Sequence, residues 1–173
     1  MNRDFHDLLE LFLTEQVDFV VVGAYALAAH GVPRATGDID VFVSSTPANA
    51  VRVYRALARF GAPLMGIDET TFAQDDVVFQ IGVVPSRIDI LTSIEGVPFA
   101  EAQSTRVEVL IDDIKVPVIG LPALIKNKRA CARPKDMVDL QTLARIAPKA
   151  EPQASPTQQV RRRSSAKKRK PLS

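Results

Sequence analysis

The sequence predicts an α/β (α+β) chain, a mixed β-sheet with helices packed on it, followed by a basic tail. Three observations carry this expectation. Short runs of β-branched residues alternate with stretches whose apolar residues recur at helical spacing. Glycine or proline closes most of these stretches. Charge is divided: residues 1–148 hold fourteen Lys or Arg against nineteen Asp or Glu, while residues 149–173 hold eight against one.

Residues 4–16 place Phe5, Leu8, Leu9, Phe12 and Leu13 at helical spacing. Asp18-Phe19-Val20-Val21-Val22 reads as a short buried strand, ended by Gly23. Ala24 to His30 is a good helix former, closed by Gly31 and Pro33, with His30 at its cap. Ile39 to Val43 alternates with two carboxylates and reads as a second strand. Thr46-Pro47 offers a hydroxyl cap and a first-turn proline for a helix that stops at Gly61. Residues 77–82 and 87–91 read as two strands about a turn at Pro85-Ser86. Residues 105–110 and 114–118 form a smaller hairpin around Asp112-Asp113. Helices over 121–132 and 135–146 finish the body, and Pro134 separates them. Cys131, on the first, reads as a small core residue, and Tyr25 as a packing residue.

Composition narrows the class. The hydrophobic fraction, 46%, is ordinary for a globular protein. No apolar run approaches the ~20 residues of a membrane span. Met1 to Asp7 is too polar for a signal peptide. A single cysteine precludes an internal disulfide, so a cytoplasmic protein with no membrane partner is expected. From Pro148 the chain loses apolar periodicity and runs into Arg161-Arg162-Arg163 and Lys167-Lys168-Arg169-Lys170. Residues 149–173 are expected to form a disordered basic tail behind one domain, residues 1–148, and to suit contact with RNA.

The chemistry lies in the spacing. Asp38 and Asp40, two apart on a strand, project to one face while Ile39 points to the core. Paired carboxylates call for a cation, and oxygen-only ligands favour Mg2+ or Mn2+. Asp89, between Ile88 and Ile90, repeats the arrangement. If its strand lies beside the first, three carboxylates converge in the layout of a two-metal site. Gly23, between strand and helix, leaves helix-start N–H groups open to phosphate oxygens and allows close approach. Arg34-Ala35-Thr36-Gly37 comes next, where Arg34 suits a phosphate and Thr36 joins the candidate nucleotide-binding set. Lys128, in the run from Lys126 to Asp136, is placed to reach a triphosphate from across the sheet. Each residue has a plainer reading: solvated strand-edge carboxylates, a solvated lysine, and Asp136 as a first-turn acid favoured by the helix dipole.

Val21-Val22-Gly23-Ala24, Thr36-Gly37-Asp38-Ile39-Asp40-Val41 and Arg87-Ile88-Asp89-Ile90 together resemble the signature of the DNA polymerase beta-like nucleotidyltransferase superfamily. Ala29 to Thr36 and Lys128 to Asp136 look like its abortive-infection (AbiEii-type) toxin branch. The resemblance covers residues 15–145, roughly, and implies the minimal nucleotidyltransferase fold. It implies that Asp38, Asp40 and Asp89 ligate metal, and that Gly23 and Ala24 form the phosphate-cradling turn. Lys128 would contact nucleotide phosphate, and Asp136 would support the site. One position departs: Ala24 stands where that superfamily usually has a second glycine or a serine. The expected activity is metal-dependent transfer of a nucleoside monophosphate from a nucleoside triphosphate to a hydroxyl, on tRNA or another RNA, with a cognate antitoxin as a partner. Two alternatives stay open: an inactive nucleotide-binding or protein-interaction module of the same fold, and a transferase acting on a small antibiotic-type molecule.

Overall fold

The computed structural model of the chain describes residues 1–83 and 85–146. The expected tail, with the boundary near residue 148, lies outside them. Helix α1 (Arg3–Thr14) starts at Asn2, whose side chain accepts from the Asp4 N–H, and buries Phe5, Leu8, Leu9 and Phe12. Strand β1 (Phe19–Val22) is buried at all four residues, so both of its faces are covered. It runs directly into α2 (Gly23–Ala29), which His30 caps. Strand β2 (Asp38–Val43) leads to α3 (Pro47–Phe60), which ends at Gly61 in the left-handed region. Thr46 occupies the N-cap of α3, but its hydroxyl bonds no helix amide and instead accepts from Ser44 Oγ at 3.4 Å.

Next come β3 (Val78–Val83), β4 (Ser86–Leu91), α4 (Phe99–Ser104), β5 (Val107–Ile111) and β6 (Ile114–Val118). Helices α5 (Leu121–Cys131) and α6 (Pro134–Ile146) complete the order. Two elements were not expected from the sequence, a 3-10 turn at Thr71–Ala73 and α4. Both are too short to display a helical period, and α4 buries only Ala102. Because α4 runs to Ser104, β5 begins two residues later than its expected start.

The six strands form one mixed sheet in the order β3-β4-β2-β1-β6-β5. The hairpins β3–β4 and β5–β6 are antiparallel, as is β1–β2. The pairs β2–β4 and β1–β6 are parallel. Register decides which side chains share a face. Val22 lies opposite Asp40, Asp40 opposite Asp89, and Asp89 opposite Gln80, making one row across four strands. Opposed residues share a face, and so do residues two apart. Asp38, Phe42, Arg87 and Leu91 therefore belong to the face of Asp40.

The other face carries Ile39, Val41, Val43, Ile88 and Ile90, all buried. Phe12 of α1 meets Phe19 edge-on at 5.4 Å, and Phe72 of the 3-10 turn meets Phe79 at 5.7 Å, so both cover this apolar side. Phe42 meets Phe99 of α4 at 5.1 Å on the carboxylate side. Helix α4 thus covers that face beyond Asp40 and leaves the Asp38–Asp40 end open. Among the described residues, no helix is long and apolar enough to cross a membrane.

Candidate active site

A cavity of about 450 Å³ opens over this uncovered end of the sheet, and Gly23, Ala24, Asp38, Asp40, Asp89 and Lys128 all line it. Two glycines set its shape. Gly23, at φ +66°, has no room for a side chain: a Cβ there would sit 2.0 Å from Asp40 Oδ2. The chain passes from β1 into α2 over the carboxylate because position 23 is bare. At Gly37 a Cβ would lie 2.0 Å from the Pro85 carbonyl oxygen, and the Arg87 N–H donates to the Gly37 carbonyl at 3.1 Å. That contact brings β2 against the β3–β4 hairpin and brings Asp38 level with Arg87. Thr36 Oγ1 accepts from the Asp38 N–H at 3.1 Å, fixing the entry to β2.

The three carboxylates are unequal. Arg87 donates through Nε to Asp89 Oδ1 at 2.9 Å, and through Nη2 to Asp89 Oδ2 and Asp38 Oδ2, both at 3.0 Å. These contacts, with Asp89 foremost, hold the guanidinium even more firmly protonated than usual. Asp40 has no hydrogen-bond donor among the described residues. Burial raises its carboxyl above the usual range, and the charges of Asp89 and Asp38 push it further. Asp38 Oδ1 is buried and has no partner. Such an atom costs free energy unless something positive reaches it. A divalent cation fits this donor set, since it answers both the orphaned oxygen and the repulsion around Asp40. Register brings the three carboxylates to one face as expected, yet among the described residues no three acidic, histidine or cysteine side chains already converge as a cage. Arg87 partly fills that place.

The opposite wall is an ion network. Lys128, only 4% exposed, donates through Nζ to Asp136 Oδ1 at 2.8 Å and to Asp139 Oδ2 at 2.9 Å. Asp136 also accepts from Arg133 Nε at 2.6 Å, and Asp139 from Arg34 Nη1 at 3.2 Å. Burial pushes Asp136 up, but hydrogen bonds from Arg133 and Lys128 outweigh it and hold the carboxyl at about 2, against an ordinary 3.8.

The fold gathers most of the sequence-predicted residues. Gly23, Ala24, Arg34, Thr36, Asp38, Asp40, Asp89 and Lys128 line one cleft, and Asp136 stands behind it, fully buried. Arg87 and Asp139 were not singled out from the sequence. Each carried a signal: Arg87 lies two before Asp89 on the same strand face, and Asp139 lies one helical turn beyond Asp136. Cys131 is not in the core; it lines the cleft half-buried and donates to Glu95 Oε2 at 3.3 Å. Tyr25 packs edge-on against Phe5 at 6.0 Å. His30 bonds through Nε2 to the Ile119 carbonyl at 2.7 Å, tying the end of α2 to the end of β6.

A mixed sheet with an Asp-x-Asp strand beside a third aspartate, under a glycine turn, defines the nucleotidyltransferase fold. Solved structures agree. TM1012, a candidate nucleotidyltransferase from Thermotoga maritima, superposes with a TM-score of 0.55 at 16% identity, over 83% of this chain and 89% of that one. The antibiotic-resistance factor ANT(2'')-Ia gives 0.56 at 16% identity, over 82% and 81%. The lincosamide antibiotic adenylyltransferase LnuA, solved with lincomycin bound, gives 0.54 at 14%, over 84% and 98%. No curated protein matches the chain. The family model for the AbiEii toxin nucleotidyl transferase, of type IV toxin–antitoxin systems, matches residues 7–172, and the chain belongs to that family.

Proposed function

We propose that this protein transfers a nucleoside monophosphate from a nucleoside triphosphate to a hydroxyl of an RNA acceptor, with tRNA 3′ ends foremost. The observation that carries the reading is the row formed by Asp40 and Asp89, with Asp38 beside it on the open end of the sheet. Asp38, Asp40 and Asp89 would hold Mg2+ or Mn2+. When bound, the ion neutralises charge on the triphosphate and lowers the pKa of the attacking hydroxyl. Asp89 orients and helps deprotonate that hydroxyl. The acceptor hydroxyl oxygen bonds to the α-phosphorus as its proton passes to Asp89, the bond from the α-phosphorus to the bridging oxygen of the β-phosphate breaks, and pyrophosphate leaves. Gly23 and Ala24 bring backbone N–H groups to the phosphates, and Arg34, Thr36 and Lys128 line the same cavity. Asp136 holds Lys128 in place.

Family membership supports a toxin role with a cognate antitoxin as partner, and a single cysteine suits the reducing cytoplasm. The basic run in residues 149–173 supports recruitment of RNA through phosphate contacts. The test is incubation with each labelled triphosphate, Mg2+ and total RNA. Label on RNA that disappears in Asp38→Ala and Asp40→Ala is the expected result. Saturable triphosphate binding with no transfer to any acceptor would overturn it in favour of an inactive binding module, which Ala24 favours. Label on an aminoglycoside or lincosamide instead of RNA would favour the small-molecule reading, suggested by the folds of LnuA and ANT(2'')-Ia.

A further inference from the structure

Five cationic side chains line the cleft: Arg34, Arg87, Lys128, Arg133 and Lys135. Four already have carboxylate partners. Arg34 pairs with Asp139, Arg87 with Asp38 and Asp89, Lys128 with Asp136 and Asp139, and Arg133 with Asp136. Lys128 is the most committed, since two carboxylates take its ammonium and almost none of it reaches solvent. Lys135 differs in having no partner. It is exposed, it lines the cleft, and it makes no hydrogen bond or ion pair among the described residues.

Its position is fixed from behind. Helix α5 ends with Ala132 in the left-handed region at φ 49°, and Pro134 opens α6. Lys135 is the second residue of α6, next to Asp136, which Lys128 and Arg133 anchor. The lysine root is therefore rigid while its ammonium is unengaged. Its charge is felt at Asp40, where it opposes the upward push on that carboxyl.

Resting on the nucleotidyltransferase reading above, we infer that Lys135 is the lysine that contacts the triphosphate, and that Lys128 is a positioning residue that holds the first turn of α6 at the cleft. A triphosphate carries several negative charges, and the cation that meets it without first breaking an existing pair makes the stronger net contact. A flexible ammonium suits that task, because it needs no fixed fork geometry.

The base is not assigned, so the probe is inorganic tripolyphosphate with Mg2+, alongside the four ribonucleoside triphosphates, titrated into the full chain by calorimetry. Lys135→Ala is expected to weaken tripolyphosphate binding about tenfold or more, the weight of one charge-assisted hydrogen bond, with an unchanged thermal midpoint. Lys135→Arg is expected to restore most of the affinity. The gap between wild type and Lys135→Ala should narrow as salt rises, which a merely structural role would not produce. Lys128→Met is expected to lower the thermal midpoint and to weaken tripolyphosphate binding by its folded fraction less than Lys135→Ala does, and the reverse order would overturn the division of roles. If wild type binds but Lys135→Ala binds equally well, the division of roles is overturned and the nucleotide reading stands. If wild type binds neither tripolyphosphate nor any of the four triphosphates, the nucleotide reading itself fails, and this inference with it.

Discussion

Replacing Asp136 by asparagine probes the network that anchors α6. The wild-type carboxyl is held at about 2, against an ordinary 3.8, because Arg133 and Lys128 hydrogen bonds outweigh its burial. Before screening, a carboxyl held that low stabilises the neutral-pH fold by ~2.5 kcal/mol. Arg133 is half exposed and Arg34 a third, so water reaches the network, and ~1–2 kcal/mol is the fairer figure. For a domain of this size that is a fall in thermal midpoint of roughly 2–8 °C at pH 7. The pH dependence has a definite sign. The unfolded chain takes up this proton near 3.8 and the folded chain near 2. The stabilisation is therefore complete above about pH 5 and fades as pH falls through about 2. Asp136→Asn lacks the group, so thermal scans by circular dichroism from pH 7 down to pH 2 should show the gap to wild type closing. Equal midpoints at pH 7, or a gap that persists undiminished at pH 2, would refute the reasoning.

Three further outcomes are expected. Gly23→Ala places a Cβ 2.0 Å from Asp40 Oδ2 and forces a side chain into a left-handed backbone, costing ~1–2 kcal/mol for the backbone alone; thermal melts and Mn2+ titration should both register it. Ala132→Gly removes a left-handed alanine at the α5–α6 corner and should stabilise by ~0.5–1 kcal/mol in urea unfolding, since the residue is exposed and has only backbone strain to lose. Arg87→Gln leaves Asp38 and Asp89 without their shared counter-charge, so the midpoint in chelator should fall by the equivalent of ~1–2 kcal/mol. Added Mn2+ should then raise that midpoint more than it raises the wild type's.

Much of the site is legible in the chain itself. The Asp38–Asp40 spacing, the Ile88-Asp89-Ile90 alternation and the Gly23 break rest on period-2 geometry, which local sequence encodes directly. That β2 and β4 are neighbours is a long-range fact, and only their register turns three separate acids into one site. Arg87 belongs to the same alternation, but nothing local says that a guanidinium will fold back over two carboxylates. The short helix α4 escapes notice because six residues give too little period, although Phe99 on Phe42 is what closes one end of the carboxylate face. Cys131 is misread because an Ala-Cys-Ala context suggests core, whereas α5 turns that position to the cleft rim.

The two lysines show where composition misleads and period does not. Leu121, Leu124 and Lys128 stand three and seven residues apart, so Lys128 falls on the inward stripe of α5, where Ala123, Leu124 and Asn127 are buried with it. Asp136, Asp139 and Leu143 repeat that spacing on α6, and all three are buried. A cation on one inward stripe facing two acids on the next is the pattern of a buried ion pair between packed helices, and α5 packs on α6. Lys135, one residue off its stripe, has no such obligation and faces the cleft. The run from Arg133 to Asp136 thus performs two tasks that its charges alone cannot separate: Arg133 and Asp136 pair within the scaffold, and Lys135 is left over for a ligand.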